Sequence, residues 1–235
     1  MQTNWNHLHH AYGLATDTPN HLQNLLSPNF DLRDDAVNHL FSAVVHQNTT
    51  YPVTPVVVQA LLGLLHEPAL RENMRDFYNQ QYKIGIAWRN KEIADSNTHE
   101  IMRNARISQR DELEKALNAT HPIEVLDYII SFLGYVGDNL LYTDVLTEIS
   151  RPSEEEITNL YNSYSKKDEH GFSKEFYQSP LEAILLEIAV YDVFSMAGDV
   201  INALQPLTSD ANFNIAKEAA SVIEVWKKNA IKFSE

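Results

Sequence analysis

The chain contains no cysteine, only seven glycines, and few basic residues for its length of 235. The absence of cysteine excludes disulfides, thiolate metal ligands and cysteine nucleophiles, and argues against a disulfide-stapled secreted scaffold. Eighteen Lys and Arg residues face 32 Asp and Glu residues, which gives a formal net charge of −14. Negative charge repels the phosphate backbone, so the composition predicts a protein that does not bind nucleic acid.

The acidic charge is concentrated in the second half of the chain. Residues 1–118 contain 13 acidic and 10 basic residues, whereas residues 119–235 contain 19 and 8. No lysine or arginine occurs between Ala116 and Ser150, nor between Glu175 and Ala216. We therefore expect the surface of the C-terminal half to carry a negative potential.

Long apolar runs and targeting signals are also absent. The apolar stretch 56–65 is too short to span a bilayer, and the stretch 181–197 is interrupted by Glu182, Glu187 and Asp192. The N-terminal residues lack the basic cluster and apolar run of a secretion signal. The sequence thus predicts a cytoplasmic protein without a membrane span.

Apolar residues recur mainly at helical spacing, which predicts an all-α protein. Thr18, as N-cap before a proline, begins a predicted helix over 18–26, and its partner spans 31–45. A third helix, over 54–65, also follows a Thr-Pro pair. Short helices with short connections are typical of two-helix repeats.

The remaining helices are predicted from caps and breaks. The polar segment 69–119 is expected to form two longer helices, and Pro122 begins another that ends near residue 133. Gly134 and Gly137 are interpreted as a joint, after which Asp138 caps a helix to about residue 149.

Further signals divide the last third of the chain. Ser153 and Glu156 form a capping box that begins a short helix, and an irregular loop is expected over about 163–179. A strongly apolar helix over 180–197 is predicted to end at Gly198, and a last helix follows the cap at Ser209 and Asp210, to about residue 232.

Several spaced motifs mark the first 66 residues. They are a Trp and a Leu before His10-Ala-Tyr-Gly13, Asp17-Thr-Pro19, Ser-Pro-Asn-x-Asp-x-Arg33-x-x-Ala36 and His46-Gln47-x-Thr-x-Tyr51-x-x-Thr54. Together they resemble the N-terminal repeats of a bacterial HEAT-like repeat family. The residues from Pro206 to Ala220 are similar to a generic HEAT repeat.

This resemblance implies a HEAT-like α-solenoid comprising residues 1–235 as a single domain. Some members of the family are encoded beside polymorphic toxins, which implies a role as cognate immunity proteins. The family pattern usually has glycine where this chain has Asn48, a departure that concerns the turn between His46 and Tyr51.

Ten histidines raise the question of a metal site. His-Glu-x-x-His and His-Asp patterns are both absent, and zinc or di-iron sites need ligands that converge from defined spacings. We interpret His10 and His46 as hydrogen-bonding to backbone or tyrosine groups, and expect neither a metal nor a cofactor.

Catalytic motifs are likewise missing. The chain has no G-x-S-x-G, no phosphate-binding loop and no G-x-G-x-x-G. A helical-repeat DNA glycosylase would need a gathered basic surface, whereas Arg103, Arg106 and Arg110 form only one short stripe. We therefore expect a protein that acts by binding and is not an enzyme.

The residues expected to bind the partner are acidic pairs and two tyrosines. Like charges three or four positions apart on a helix repel by a few tenths of a kcal/mol, and no base follows nearby in sequence. Such pairs attract cationic proteins, although a solubility role is an equal alternative, and tyrosine is frequent at binding hot spots. The set is Glu124, Asp127, Asp144, Glu148, Asp192, Tyr161 and Tyr164.

These observations lead to one functional hypothesis and two alternatives. The hypothesis is an immunity protein whose acidic C-terminal half covers a basic toxin, for example a nuclease. One alternative is a scaffold or adaptor in an unrelated complex. The other is a metal-dependent enzyme that uses the N-terminal histidines, with His10 and His46 as the residues to test. The oligomeric state does not follow from the sequence.

Overall fold

A computed structural model describes residues 3–27, 29–65, 122–141, 143, 151–164 and 180–234, and these residues are mostly helical. The described α-helices are α1 (Thr18–Asn24), α2 (Phe30–His39), α3 (Thr54–Leu65), α4 (Pro122–Leu141), α5 (Glu154–Tyr164), α6 (Pro180–Ser195), α7 (Ala197–Leu204) and α8 (Phe213–Ser234). A short 3-10 helix, Trp5–His7, precedes them, and another, Gln205–Ser209, connects α7 to α8.

Two very short antiparallel hairpins alternate with the N-terminal helices. In the first, β1 (His9–His10) pairs with β2 (Gly13–Leu14), and in the second, β3 (Val45–His46) pairs with β4 (Thr49–Thr50). The motifs His10-Ala-Tyr-Gly13 and His46-Gln-Asn-Thr49 therefore each span a hairpin with a two-residue loop.

The second hairpin turns through Gln47 and Asn48, whose φ angles of 47° and 63° are both left-handed. Two consecutive positive φ angles match the tight turn that follows the natural twist of a hairpin, and asparagine tolerates this conformation better than most residues. Asn48 is therefore compatible with the turn that this hairpin makes.

The first three helices follow the predicted boundaries closely, with two corrections. Asp17 occupies the N-cap position of α1, whereas Thr18, predicted as the cap, is the first helical residue and is fully buried. The α-helical part of α2 ends at His39 and continues as a single π-helical segment, Leu40–Val44. Helix α3 spans Thr54–Leu65 as predicted.

Helix α4 is continuous over Pro122–Leu141, so the predicted joint at Gly134 and Gly137 is wrong. A Cβ atom at Gly134 would lie 3.0 Å from Val222 Cγ2, and one at Gly137 would lie 2.9 Å from Trp226 Nε1. Both glycines therefore allow α8 to approach α4 closely. The predicted separate helix from Asp138 to about 149 lies mostly outside the described residues.

Hydrogen bonds from α8 to main-chain carbonyls of α4 reinforce this contact. The Trp226 indole donates to the Leu133 carbonyl at 2.9 Å, and the Asn229 amide donates to the Gly137 carbonyl at 2.9 Å. The Lys232 ammonium donates to the Leu141 carbonyl at 3.1 Å and so satisfies an end carbonyl of α4.

Caps explain where the later helices begin. The predicted capping box is confirmed, because Glu156 accepts the Ser153 amide at 2.8 Å and Ser153 Oγ accepts the Glu156 amide at 3.3 Å. The break between α6 and α7 lies at Met196, and Gly198 is inside α7, which corrects the predicted end of that helix. Asn212, whose Oδ1 accepts the Asn214 amide at 3.0 Å, caps α8.

One apolar core joins the N-terminal and C-terminal elements, with buried residues that extend from Ala11 to Trp226. Helix α8 packs on α4 and α7, α1 on α2, and α3 on α6 and α7. A smaller apolar cluster around Leu160 and Leu185 joins α5 to α6. None of the helices in the described ranges combines the length and apolarity needed to cross a membrane. The predicted helices in 69–119 and most of the loop 163–179 lie outside those ranges.

Candidate functional site

Glu124 lies in the first turn of α4 and is bound by two side chains. Its carboxylate accepts a hydrogen bond from Arg33 Nη2 at 3.0 Å and another from the Tyr128 hydroxyl at 2.6 Å. Arg33 is buried on α2 and also donates to the Ser27 carbonyl at 2.9 Å. The sequence offered no base near Glu124, but the fold provides one from 91 residues away.

Asp127 faces a second carboxylate that the sequence did not indicate. Burial raises the pKa of Asp127, and the charge of Glu218 on α8, a hydrogen bond with Glu218 and the charge of Glu124 raise it further. Ser131 donates to Glu218 Oε1 at 2.8 Å and holds that side chain against α4. Glu124, Asp127 and Glu218 thus form one group, which we term the carboxylate cluster.

Exposed Asp34 on α2 adds negative charge beside the carboxylate cluster. The aspartates Asp31 and Asp35 of the same helix are also exposed, and Asp35 lies 3.5 Å from His21 Nδ1. The pKa of Tyr128 is raised to about 12, first by burial and then by the hydrogen bond to Glu124 and the charge of Glu124. The charge of Asp34 raises this pKa further, whereas the charge of Arg33 lowers it. Because α2 belongs to the N-terminal half, the acidic surface is not confined to the C-terminal half.

The other predicted binding residues have different positions. Asp192, on α6, forms an ion pair with Arg151, and Nη1 of this arginine donates to Asp192 Oδ2 at 3.3 Å. Asp144 and Glu148 lie outside the described residues. Tyr164 is the last residue of α5, and its side chain also lies outside the described part of the structure.

Tyr161, predicted as an aromatic anchor for a partner, is buried between α5 and the first hairpin and does not lie on the surface. Its side chain is buried, and its hydroxyl lies 2.8 Å from His9 Nδ1. Buried tyrosines usually satisfy the hydroxyl with a specific partner. His9 Nε2 in turn lies 3.8 Å from Oε1 of buried Glu182, so the trio connects β1, α5 and α6. Burial, and secondarily the nearby His10, lowers the pKa of His9 to about 3.

A second group of polar residues surrounds His10. His10 Nε2 lies 3.0 Å from Asp17 Oδ1, and His10 Nδ1 accepts the Tyr12 amide at 3.1 Å. The ring of His39 is 5.2 Å from that of His10 at a steep angle. One potential ligand atom from each of His10, Asp17 and His39 lies within 4.8 Å of the other two.

Two further contacts hold the rings of this group in place. His39 Nε2 lies 3.0 Å from Thr18 Oγ1, and the ring of His21 stacks on that of His39 with centroids 4.0 Å apart. Burial, followed by the charge of His21, lowers the pKa of His39 to about 4. His46 lies apart, with Nδ1 3.5 Å from the Tyr12 hydroxyl.

Sequence reasoning missed this assembly because its members come from three elements. Asp17 was noticed only as part of a motif before a proline, and His39 lies 22 residues later at the end of a helix. The recurring histidines of the N-terminal third were the available signal.

Comparisons with protein-family models, with curated proteins and with solved structures found no match to this chain.

Proposed function

We propose that this chain is a non-catalytic protein-binding module, and that it is an immunity protein that neutralises a basic, cytoplasm-acting toxin. Its helical pairs belong in this proposal to a HEAT-like solenoid. The observation that carries the binding role is the carboxylate cluster, where the packing of α4 against α8 brings Asp127 against Glu218 and near Glu124.

The cluster has an energetic cost that a cationic partner would relieve. Like charges held together destabilise the charged state, and this is why the pKa of Asp127 is raised by Glu218 after the effect of burial. A lysine or arginine placed against Asp127 and Glu218 would favour ionisation of both carboxylates. Exposed Asp34 extends the same negative surface and would accelerate encounter with a basic protein.

Glu124 has a different role within this surface. It is bound by Arg33 and Tyr128, so its charge is used to join α2 to α4 and is less available to a partner. Within the part of the chain that the structure describes, neither Asp127 nor Glu218 forms an ion pair with a base, which makes them the residues to change in a binding test. Removal of Glu124 would instead leave the buried Arg33 guanidinium without that carboxylate.

The test is capture of a partner from the host, followed by co-expression with the captured protein in cells. We expect a basic, growth-inhibiting protein and rescue of growth by the wild-type chain. The variant Asp127→Asn/Glu218→Gln keeps side-chain shape but removes the charges, and should rescue less well. The matched control is Glu154→Gln/Glu155→Gln, two exposed acidic residues of α5.

Capture of a multi-component complex without a toxic member would support the scaffold alternative. Equal rescue by the Asp127→Asn/Glu218→Gln variant and the wild type would exclude the carboxylate cluster as the binding surface.

A further inference from the structure

Three side chains with metal-binding atoms converge from the first hairpin and the first two helices. His10 comes from β1, Asp17 from the N-cap position of α1, and His39 from the last residue of α2. One ligand atom of each lies within 4.8 Å of the other two, and the His10 Nε2 to Asp17 Oδ1 distance is 3.0 Å. Two imidazoles and one carboxylate are a ligand set that divalent transition metals use.

The orientation of Asp17 is a second observation that points to this site. An N-cap aspartate usually accepts backbone amides of the first helical turn, but the Asp17 side chain makes no capping hydrogen bond. The Asp17 side chain faces His10 instead. It is 53% exposed to solvent, whereas the His10 side chain is only 5% exposed. The site is therefore formed by two buried rings and opens to solvent through the carboxylate.

Neighbouring groups orient both rings. Thr18 Oγ1 lies 3.0 Å from His39 Nε2, and His21 stacks on His39. Outer contacts of this kind set the orientation of histidine ligands. The Tyr12 amide donates to His10 Nδ1 at 3.1 Å in the metal-free state, and metal binding through Nε2 would break this bond.

We propose that His10, Asp17 and His39 form a binding site for a divalent transition metal ion, with Zn²⁺ as the best-fitting ion. Tetrahedral ligands about 2.1 Å from zinc are about 3.4 Å apart. The 3.0 Å distance between His10 Nε2 and Asp17 Oδ1 must therefore lengthen slightly, whereas a separation near the 4.8 Å limit must shorten. The exposed Asp17 is the side chain with the freedom to move. The fourth position stays open to water or to a side chain of a partner.

Metal binding has a specific consequence for His10. In the metal-free arrangement Nδ1 accepts the Tyr12 amide, so Nε2 carries the ring proton and donates it to Asp17. Coordination through Nε2 would move the ring proton to Nδ1, which could then no longer accept that amide. The hydrogen bond of the Tyr12 amide is thus a reporter of the metal that does not depend on any activity.

The experiment is titration of the chelator-treated full chain with ZnCl₂, followed by calorimetry and by the ¹⁵N–¹H resonance of Tyr12. We expect one ion per chain and a large shift of the Tyr12 amide. The variant Asp17→Asn should weaken binding by about tenfold or more, because it removes the anionic ligand. The control Asp31→Asn, an exposed aspartate on α2, should bind like the wild type.

The proposal is overturned if the chain takes up no stoichiometric zinc, or if Asp17→Asn and wild type bind with the same affinity. Zinc uptake without a change in the Tyr12 resonance would also overturn it, since the ion would then be bound elsewhere. Circular dichroism of Asp17→Asn shows whether weaker binding reflects loss of the ligand or loss of the fold, and only a folded variant with weaker binding supports the site.

Discussion

Buried His9 makes the stability of this protein sensitive to mild acid. The pKa of His9 falls from 6.5 to about 3 on folding, mainly because the ring is buried. Between these two values the unfolded chain binds the proton and the folded chain does not. Stability contributed by neutral His9 is therefore complete above pH 6.5 and is lost as the pH falls toward 3.

The size of the effect follows from the two pKa values. From pH 7.5 to pH 5.0, His9 alone should lower the free energy of unfolding by about 2 kcal/mol. His39, whose pKa is lowered to about 4 by burial and then by His21, acts in the same direction. Isolated Asp and Glu side chains stay mostly ionised over this range, so the histidines dominate the change.

The assay is urea unfolding at several pH values between 5.0 and 7.5, for the wild type and for His9→Asn. Asparagine presents a polar atom close to the position of His9 Nδ1, which lies 2.8 Å from the Tyr161 hydroxyl, and it does not titrate. We expect the variant to be less stable at pH 7.5 but to lose about 2 kcal/mol less than the wild type on acidification. The control His46→Asn, in the second hairpin, should lose as much stability as the wild type does when the pH is lowered.

Equal losses in His9→Asn and wild type would refute this reasoning. A wild-type protein that becomes more stable in mild acid would refute it more strongly. That result would mean that Glu182, 3.8 Å from His9 Nε2, holds a charged imidazolium in the folded state.

Two further predictions concern the backbone. A Cβ at Gly137 would lie 2.9 Å from Trp226 Nε1, so Gly137→Ala should destabilise the protein by about 1–2 kcal/mol. A Cβ at Gly63 would have no neighbour within 4 Å among the described residues, so Gly63→Ala should stabilise the protein by up to about 1 kcal/mol. Equal shifts of the melting temperature for both variants would contradict the close contact. Asn48 is exposed and has a φ of 63°. Urea unfolding should show that Asn48→Ala destabilises the protein by about 1 kcal/mol and that Asn48→Gly does not. Equal effects of the two substitutions would contradict the left-handed turn.

Local signals were sufficient to predict most helix starts. The pair Thr54-Pro55 predicted where α3 begins. The reciprocal hydrogen bonds of Ser153 and Glu156 are those that their spacing predicts. Such signals act within three or four residues, so they can be recognised in a single sequence.

The errors arose where a distant residue decides the local structure. Gly134 and Gly137 are typical of a break in isolation, but α8 packs against them and keeps α4 continuous. No local pattern shows that Trp226 lies there, because that contact joins residues about 90 positions apart. Sequence patterns do not contain this information.

The candidate sites show the same limit. Glu124 and Asp127 were predicted correctly as neighbours on one helix, but the positions of Arg33 and Glu218 beside them result from tertiary packing. Tyr161 was predicted to bind the partner because tyrosine is frequent at binding hot spots, but it is buried, with its hydroxyl 2.8 Å from His9 Nδ1, a contact that no local pattern shows.

The central claim is that the chain binds a basic protein through the carboxylate cluster. Its most direct test is calorimetry of the captured partner with wild type and with Asp127→Asn/Glu218→Gln, at low and physiological salt. We predict affinity reduced about tenfold or more by the two substitutions, with a smaller reduction at higher salt. Equal affinities of the wild type and the double variant at low salt would contradict the claim.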